Sequence, residues 1–406
     1  EGSMRRVVIT GTGIVSSIGN NTEEVKKSLF DCTPGISKAI GYDNLGFKSQ
    51  VYGSPDIDLE ENIDRKKLRF LAEGSAWSYI AAEQAISDAM LDESEVSHER
   101  TGLIVGTGGP STRSIVKAAD QTRERGAKHV GPFVVPKAMC SMASATLSTY
   151  LGIKGVNYSI SSACATSNNC IGSSYELIKW GSQDIMIAGG GEELDWSLSV
   201  LFDGMGAMSS NFNDNPAKAS RAYDLNRDGF VIAGGAGILI LEEYNHAVAR
   251  GAKIYAEIIG YGSTSDGSDM VLLSGEGAER AMQLATDGMD AEIDYINPHA
   301  TSTPQGDIIE AKAIRSVFGD KIPTISATKS LSGHSLGAAG AHEAIFSLIM
   351  MQNNFIAKSC NIDELDPNFC DLPIALERKD DIEVNTVMSN AFGFGGTNAC
   401  LVFRKI

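Results

Sequence analysis

One cysteine and two histidines, each within a segment of small residues, are the side chains of this sequence best suited to catalysis. Cys164 lies in SSACATS at 161–167, His299 in NPHATSTP at 297–304 and His334 in KSLSGHSLGAAG at 329–340. A thiol supplies a nucleophile, and neutral imidazoles donate hydrogen bonds to a developing oxyanion. The surrounding Gly, Ala, Ser and Thr leave room for a substrate to approach the backbone. Together these groups predict chemistry on an acyl thioester.

The position of Cys164 between two elements favours a catalytic role for its thiol. A predicted strand at 158–160 precedes it, and an apolar face of Ser167, Ile171, Tyr175 and Ile178 predicts a helix that starts at the cysteine and ends at Gly181. A helix N-terminus lowers a thiol pKa, so we expect Cys164 to be the most reactive cysteine. The others are interpreted as buried structural thiols: Cys32, Cys140, Cys170, Cys360, Cys370 and Cys400.

The two histidine loops follow corresponding places in the strand order, which favours a catalytic pair over two separate structural residues. His299 follows a predicted strand at 293–296, and His334 precedes a helix start. Lys329 and Glu343 flank His334, and burying either charge unpaired would be costly. We expect them to support the site electrostatically; a structural ion pair or a solvated surface is the alternative. The remaining histidines are interpreted as structural: His98, His129, His246 and His342.

The composition is that of a folded protein with about two or three domain-sized units. The chain has 406 residues, of which 43% are hydrophobic and 21% charged. Its formal charge of −17 disfavours nucleic acid and anionic membranes as partners. The longest apolar run, 344–351, is far shorter than the roughly 20 residues that cross a bilayer. The first three residues are expected to be an expression remnant before Met4, and no secretory signal follows.

The seven cysteines indicate a reducing, cytoplasmic setting, because their number is odd and no C-x-x-C pair is present. The same pattern disfavours a zinc site. The Gly-rich segment 11–13 lacks the third glycine of a dinucleotide fingerprint, and no suitable acidic residue stands out about 20 positions later. No cofactor is therefore predicted.

Short β-branched runs alternate with helical stretches, which is typical of a layered α/β protein. Strand 7–10 leads into a Gly turn, a helix spans 70–91, and buried strands follow at 101–106 and 158–160. A similar order recurs after residue 253, and the Gly-rich segments 229–241 and 391–403 are interpreted as matching hairpins. This recurrence predicts an internal duplication with halves at 4–252 and 253–406 that pack as one body.

Two further groups of residues suggest how substrates bind. The glycine string 393–396 offers unobstructed backbone N–H groups, and Phe392 and Phe394 are predicted to line an apolar tunnel rather than only a core. Basic residues form islands in this acidic chain, which makes them candidates for docking an acidic protein; they are Arg65, Lys66, Arg69, Arg123, Arg125 and Lys128.

Over residues 4–406 the sequence resembles the β-ketoacyl-acyl-carrier-protein synthases, most closely the type I condensing enzymes of bacterial fatty-acid synthesis. The motifs that carry the resemblance are YSISSACATS at 158–167, SRAYDLNRDGFV at 220–231, HATSTP at 299–304, Lys329 with GHSLGAAG at 333–340, and SNAFGFGGTN at 389–398. The resemblance implies a duplicated thiolase-like fold with α-β-α-β-α layers, and a homodimer.

The resemblance also implies a role for each catalytic group. Cys164 attacks the donor acyl thioester, and the backbone N–H groups of Cys164 and Phe394 form its oxyanion hole. His299 and His334 hold the thioester carbonyl of malonyl-carrier protein, so that loss of CO₂ leaves a stabilised enolate. Attack of this carbanion on the acyl-Cys164 ester lengthens the acyl chain by two carbons.

Other positions are matched with less specific roles. Lys329 and Glu343 match an essential lysine and a buried acid, and Thr301 and Thr303 match pantetheine-binding positions. Ala300 replaces a glycine usual in the family, which adds a methyl group beside the pantetheine channel. The basic islands match the region where the carrier protein docks. The residues that surround a monovalent cation in some relatives are matched by Asn297, Glu343, Ser389 and Asn390.

Three alternatives to this assignment share the fold. A type II β-ketoacyl synthase or a polyketide ketosynthase uses the same triad and is the main alternative. A degradative thiolase needs a second catalytic cysteine, and Cys400 lies inside the predicted strand 399–403 rather than in a glycine loop. A non-catalytic chain-length factor would lack Cys164.

Overall fold

The computed structural model describes residues 4–406, so the predicted expression remnant lies outside it. Among the described residues, no helix combines the length and the apolar character needed to span a membrane. Twelve strands are present in this part of the chain, and all but β2 and β3 belong to one sheet. They are β1 (Val7–Val15), β2 (Ile36–Lys38), β3 (Val51–Gly53), β4 (Thr101–Gly106), β5 (Asn157–Tyr158), β6 (Ile185–Glu192), β7 (Gly235–Glu243), β8 (Ala256–Ser265), β9 (Tyr295–Asn297), β10 (Thr324–Ile325), β11 (Thr386–Gly393) and β12 (Thr397–Arg404).

The strand order of the large sheet is symmetric about its centre. It runs β10-β9-β11-β12-β8-β1-β7-β6-β4-β5, so the order outward from β8 mirrors the order outward from β1. The two sets join through only three residue pairs, Val7–Ile9 of β1 with Ala256–Ile258 of β8. This topology places Cys164 after β5 and His334 after β10, which are corresponding strands; His299 follows β9, the counterpart of β4.

Helices cover both faces of the sheet and fill the space between its two sets of strands. The described helices are α1 (Thr22–Asp31), α2 (Leu59–Asn62), α3 (Arg65–Leu68), α4 (Glu73–Asp88), α5 (Glu93–Val96), α6 (Thr112–Arg125), α7 (Val134–Ala138), α8 (Met142–Leu151), α9 (Thr166–Lys179), α10 (Trp196–Gly204), α11 (Tyr244–Ala249), α12 (Glu276–Thr286), α13 (Gly306–Phe318), α14 (Lys329–Ser332) and α15 (Ala339–Asn353). Helix α4 packs on β1 and β7, and α12 on β8 and β12, whereas α9 and α15 contact strands of both sets. The predicted α-β-α-β-α layering is therefore confirmed.

The glycines predicted to form a turn after residue 10 lie inside a strand instead. Strand β1 continues to Val15, and a β carbon on Gly11 or Gly13 would overlap the carbonyl oxygens of Ala85 or Ala81 on α4. These glycines let helix and sheet approach closely, a role that a turn pattern does not reveal.

Two other local predictions are wrong. Strand β5 comprises only two residues, both exposed, because it pairs with β4 alone and forms the edge of the sheet. Segment 229–241 is not a hairpin: β7 starts at Gly235, and its antiparallel neighbours are β1 and β6, each across a long connection. The pair β6–β7 is therefore the counterpart of the β11–β12 hairpin.

The cysteines are less uniformly buried than the sequence suggests. Cys140 and Cys370 are exposed and Cys32 is half-buried, because they lie at a helix junction, in a surface turn and at the end of α1. Cys170, Cys360 and Cys400 are buried as expected.

Candidate active site

The side chains of Cys164, His299 and His334 meet in one cavity of about 350 Å³. Nε2 of His334 lies 3.1 Å from Sγ of Cys164. The two imidazole rings stand edge to face, with 5.3 Å between their centroids. All three side chains are buried. One thiol and two imidazoles therefore face a common point, as the sequence predicted.

Cys164 lies in a 3-10 turn at Ala163–Ala165, between β5 and the start of α9 at Thr166. Ala163 adopts a φ of 52°, in the left-handed region that L-residues seldom occupy, and this sharp bend directs the thiol into the cavity. Burial raises the pKa of Cys164 to about 12, although the charge of Lys329 acts in the opposite direction. The expected lowering of the thiol pKa is therefore wrong, because desolvation outweighs the helix start.

His299 is held by a buried carboxylate that the sequence analysis did not identify. Oε2 and Oε1 of Glu310, on α13, accept hydrogen bonds of 2.8 Å from the backbone N–H groups of His299 and Ala300. The Asn390 amide also donates to Glu310, at 3.3 Å. Burial, then the charges of Lys329 and His334, hold the pKa of His299 well below its usual value. His299 accordingly has a fixed backbone and a neutral imidazole.

His334 is fixed by hydrogen bonds on both sides of its backbone. Its N–H donates to the Val231 carbonyl at 2.7 Å, and its carbonyl accepts from Ala233 at 2.9 Å. Nδ1 accepts from the N–H of Leu336 at 3.4 Å, which favours the tautomer with hydrogen on Nε2, facing Cys164. Burial and then Lys329 lower the pKa of His334 far below its usual value, so this ring is also neutral.

Lys329 connects the two histidine loops through a buried ion pair. Its Nζ lies 2.7 Å from Oε1 of Glu343 and donates to the His299 carbonyl oxygen at 2.8 Å. Glu343 also accepts from the Thr328 hydroxyl at 3.4 Å. Burial raises the pKa of Glu343 to about 7, and Lys329 opposes that rise. The structure rules out the solvated surface, and the buried ion pair fits both a structural role and the expected electrostatic support of the site.

The cavity is lined by the residues predicted to bind substrate, namely Thr301, Thr303, Phe392 and Phe394. Phe392 is buried with its ring centroid 5.8 Å from that of His299, and Phe394 is partly exposed. A β carbon on Gly393 would lie 3.0 Å from the backbone nitrogen of Cys164, so glycine is needed for this close approach. Phe394, whose backbone amide is expected to form part of the oxyanion hole, therefore directly follows a residue in contact with the Cys164 backbone.

The residues matched to a cation site fall into two groups. Among residues 4–406, Oδ1 of Asn297, Oγ of Ser389 and Oδ1 of Asn390 are buried without hydrogen-bond partners. Asn297 and Ser389 are direct neighbours on the parallel strands β9 and β11. Asn390 is the next residue along β11, so its side chain points to the opposite face. Asn297 and Glu343 both contact Thr328. Asn297, Ser389 and Glu343 therefore form one group, and Asn390 stands apart from it.

Comparison with known proteins agrees with this geometry. Residues 4–247 match the β-ketoacyl synthase N-terminal domain, and residues 255–363 match the C-terminal domain. The chain belongs to the β-ketoacyl synthase family. It is 57% identical over 405 residues to 3-oxoacyl-[acyl-carrier-protein] synthase 1 of Escherichia coli, covering 99% of this chain and 100% of the relative.

Two further similarities extend along the whole chain. The Haemophilus influenzae 3-oxoacyl-[acyl-carrier-protein] synthase 1 is 55% identical over 403 residues, covering 99% of both proteins. The crystal structure of a β-ketoacyl synthase from Burkholderia phymatum superposes with a TM-score of 0.93 at 36% identity, over 99% of this chain and 100% of that one. These similarities confirm the family expected from the motifs.

The residue that departs from the family pattern adopts an unusual backbone conformation. Ala300 has a φ of 26°, in the left-handed region that favours glycine, and its side chain is buried. The two hydrogen bonds that the backbone N–H groups of His299 and Ala300 donate to Glu310 hold the strained conformation in place. The methyl group therefore affects the local backbone as well as the cavity, which Ala300 lines.

The predicted docking residues of this β-ketoacyl synthase are all exposed. The Arg69 guanidinium lies 5.1 Å from the ring centroid of Phe133, which follows the second cluster in sequence. Phe133 also packs edge to face on Phe70, with centroids 5.0 Å apart. The six basic side chains are Arg65, Lys66, Arg69, Arg123, Arg125 and Lys128.

Glu192 is a second buried acid near the triad that the sequence analysis missed. Its Oε1 accepts from the N–H groups of Gly108 and Gly337, at 3.1 and 3.2 Å. Glu192 thereby ties the loop after β4 to the loop that carries His334. Both Glu310 and Glu192 could have been found from the sequence, because each is an acidic residue within an apolar or glycine-rich segment. The same argument had identified Glu343.

Proposed function

We propose that this chain condenses malonyl-acyl-carrier protein with an acyl group held on Cys164, as a β-ketoacyl-acyl-carrier-protein synthase of type I. The observation that carries the proposal is the 3.1 Å contact between His334 Nε2 and Cys164 Sγ, with His299 edge-on to the same ring. A thiol and two neutral donors around one point meet the needs of both acyl transfer and decarboxylation.

In the first half-reaction, Sγ of Cys164 attacks the thioester carbonyl of the acyl donor. The new S–C bond forms, the bond to the carrier sulfur breaks, and the thiol proton ends on the departing carrier thiol. Because burial disfavours a free thiolate, proton loss accompanies attack. The backbone N–H groups of Cys164 and Phe394 stabilise the tetrahedral oxyanion.

In the second half-reaction, His299 and His334 donate N–H groups to the thioester carbonyl of the malonyl substrate. The bond to the carboxylate breaks, CO₂ leaves, and the electron pair is held as an enolate. The enolate carbon attacks the acyl-Cys164 carbonyl, the C–S bond breaks, and the released Cys164 sulfur takes up a proton from solvent. Lys329 acts as a positioning residue, since its ammonium contacts the His299 carbonyl rather than the cavity.

A monovalent cation is part of this proposal. The unpartnered oxygens of Asn297 and Ser389, with the carboxylate of Glu343 nearby, form a donor set of hard oxygen ligands suited to such an ion. The side-chain amide of Asn390 instead donates a hydrogen bond to Glu310. The ion would supply fixed positive charge that holds the ends of β9 and β11 together.

The assembly and location are also proposals. The acyl-carrier protein is the partner that the relatives' names specify, and the exposed basic residues of α3 and α6 provide charge for an acidic protein. A homodimer is supported by the unpaired edge of β5. The mirrored strand order supports division into halves 4–252 and 253–406. A cytoplasmic location is supported by seven free cysteines.

A condensation assay with malonyl-carrier protein and acyl-carrier donors of varied length tests the function. A single two-carbon extension of a fatty acyl donor is expected. Repeated extension without reduction would instead indicate a polyketide ketosynthase, and acyl transfer to free coenzyme A without malonyl groups would indicate a thiolase. The thiolase alternative has little structural support, because Cys400 is buried within β12 and does not line the cavity.

A further inference from the structure

His342 on α15 is a buried histidine that the proposed reaction does not use. It is 2% exposed and contacts strands β1 and β7 near the centre of the sheet. Its Nε2 lies 2.9 Å from the Val15 carbonyl oxygen and 3.1 Å from that of Ala236, two residues paired across these strands. Its Nδ1 lies 2.9 Å from Oγ of Ser335, the residue that follows His334. One ring therefore connects the sheet to the loop that carries His334.

The partners of His342 fix the direction of each hydrogen bond. Burial lowers the pKa of His342 to about 4, so the ring is neutral and carries one N–H group. Carbonyl oxygens only accept hydrogen bonds, so the hydrogen is on Nε2 and Nδ1 accepts from the Ser335 hydroxyl. The surroundings also fit the ring: a β carbon on Gly235 would lie 2.8 Å from its Cε1, and Phe346 stacks on it with centroids 6.1 Å apart.

Ser335 begins the turn that holds the His334 ring. The next residue, Leu336, has a φ of 52°, and its N–H donates to Nδ1 of His334 at 3.4 Å. The bonds to Val231 and Ala233 fix the main chain of His334, whereas the orientation of its ring depends on where the turn places the Leu336 N–H. The hydrogen bond from Ser335 to His342 therefore acts on the ring nitrogen opposite the one that faces the cavity.

We propose that His342 is a positioning residue that, through the Ser335 hydroxyl, keeps Nε2 of His334 directed at the thioester carbonyl of the malonyl substrate. This inference rests on the proposed function, because it requires His334 to donate to that carbonyl. His342 does not line the cavity, so it acts only through the loop. Its loss is expected to displace the donor, and a displacement of about 1 Å can lower a rate by up to about 100-fold.

Malonyl decarboxylation kinetics of His342→Leu, Ser335→Ala and the double variant test these contacts. Each single change is expected to lower kcat by about 10-fold with little change in KM, because the donor is displaced while carrier binding is untouched. The double variant should lose no more than His342→Leu, since both changes break the same hydrogen bond. His342→Gln should restore most of the rate, because a carboxamide again presents one donor and one acceptor. The matched control Ser174→Ala removes a buried hydroxyl that bonds within α9 and should keep the parent rate.

Hydrogen–deuterium exchange of the folded variants separates this inference from the proposed function. A peptide spanning 334–338 should exchange several-fold faster in His342→Leu and Ser335→Ala than in the parent, His342→Gln or Ser174→Ala. If His342→Leu does not fold, Ser335→Ala decides the outcome. An active parent whose folded variants keep its kcat, or equal losses in His342→Gln and His342→Leu, would overturn the positioning role alone. A parent without decarboxylation would refute the proposed function and this inference together.

Discussion

The ammonium of Lys329 donates to the main-chain carbonyl of His299 at 2.8 Å, from the first residue of the helix that leads to His334. One buried cation therefore binds both histidine loops. Its positive charge also disfavours protonation of either ring, as the lowered pKa values of both imidazoles indicate. The ion pair with Glu343 is what allows this cation to be buried.

Replacing Lys329 with Met is expected to destabilise the fold by roughly 3–5 kcal/mol, because it leaves the Glu343 carboxylate buried without its partner. Urea unfolding of the single variant and of Lys329→Met with Glu343→Leu measures this cost. The double variant should recover part of the loss, since neither charge remains to be desolvated. A double variant no more stable than Lys329→Met would contradict the ion-pair account.

Cys164→Gln should abolish acyl transfer while malonyl decarboxylation is retained, because the two histidines stabilise the enolate without the thiol. His299→Ala and His334→Ala should each lower decarboxylation by about 10²–10³-fold, the usual cost of removing one oxyanion donor. Release of CO₂ from labelled malonyl-carrier protein measures this step separately from condensation. Unchanged decarboxylation in both histidine variants would disprove the division of roles.

The rings of His299 and His334 should stay neutral from about pH 8 to about pH 6, since their folded-state pKa values lie far below the reference near 6.5. The unfolded chain binds protons that these rings reject, so their contribution to the unfolding free energy falls as the pH drops through about 6.5. Imidazole NMR titration of the native protein measures the protonation, with the urea-unfolded chain as control. A native midpoint near 6.5 for either ring would contradict it.

The sequence predicted which side chains meet in the cavity but not what surrounds them. Cys164, His299 and His334 stood out because reactive side chains within small-residue loops leave a local pattern. Glu310 was missed because its role is to accept hydrogen bonds from the backbone N–H groups of His299 and Ala300, and main-chain donors leave no residue pattern. The thiol pKa was predicted in the wrong direction because desolvation depends on tertiary packing. The turn predicted at Gly11 was wrong for the same reason, since only the close contact with α4 explains why glycine is needed there.

Ala300→Gly is expected to stabilise the protein by about 1 kcal/mol, because glycine adopts the φ of 26° without steric cost. The greater flexibility of glycine in the unfolded chain reduces this gain by several tenths of a kcal/mol. Thermal unfolding measures the difference, with Ala163→Gly as a matched variant at a second alanine of positive φ. A clear loss of stability at residue 300 would show that the methyl packing outweighs the backbone strain.

Exchanging Lys66 and Arg69 for Glu should raise the apparent KM for acyl-carrier substrates and weaken its dependence on salt. A chain of charge −17 repels an acidic carrier at long range, so a local positive field must guide the encounter. Turnover with a small acyl-pantetheine donor should remain near the parent value, because these exposed side chains do not line the cavity.

The matched control for this charge reversal is Lys321→Glu with Lys379→Glu, two exposed positions in the C-terminal part of the chain. It changes the net charge by the same amount without touching the basic clusters on α3 and α6. Steady-state kinetics at low and high salt should show a KM increase several-fold larger for the Lys66 and Arg69 variant than for the control. Equal effects in the two variants would mean that net charge alone governs the encounter. Equal losses with carrier and pantetheine donors would mean that the cluster has a structural role.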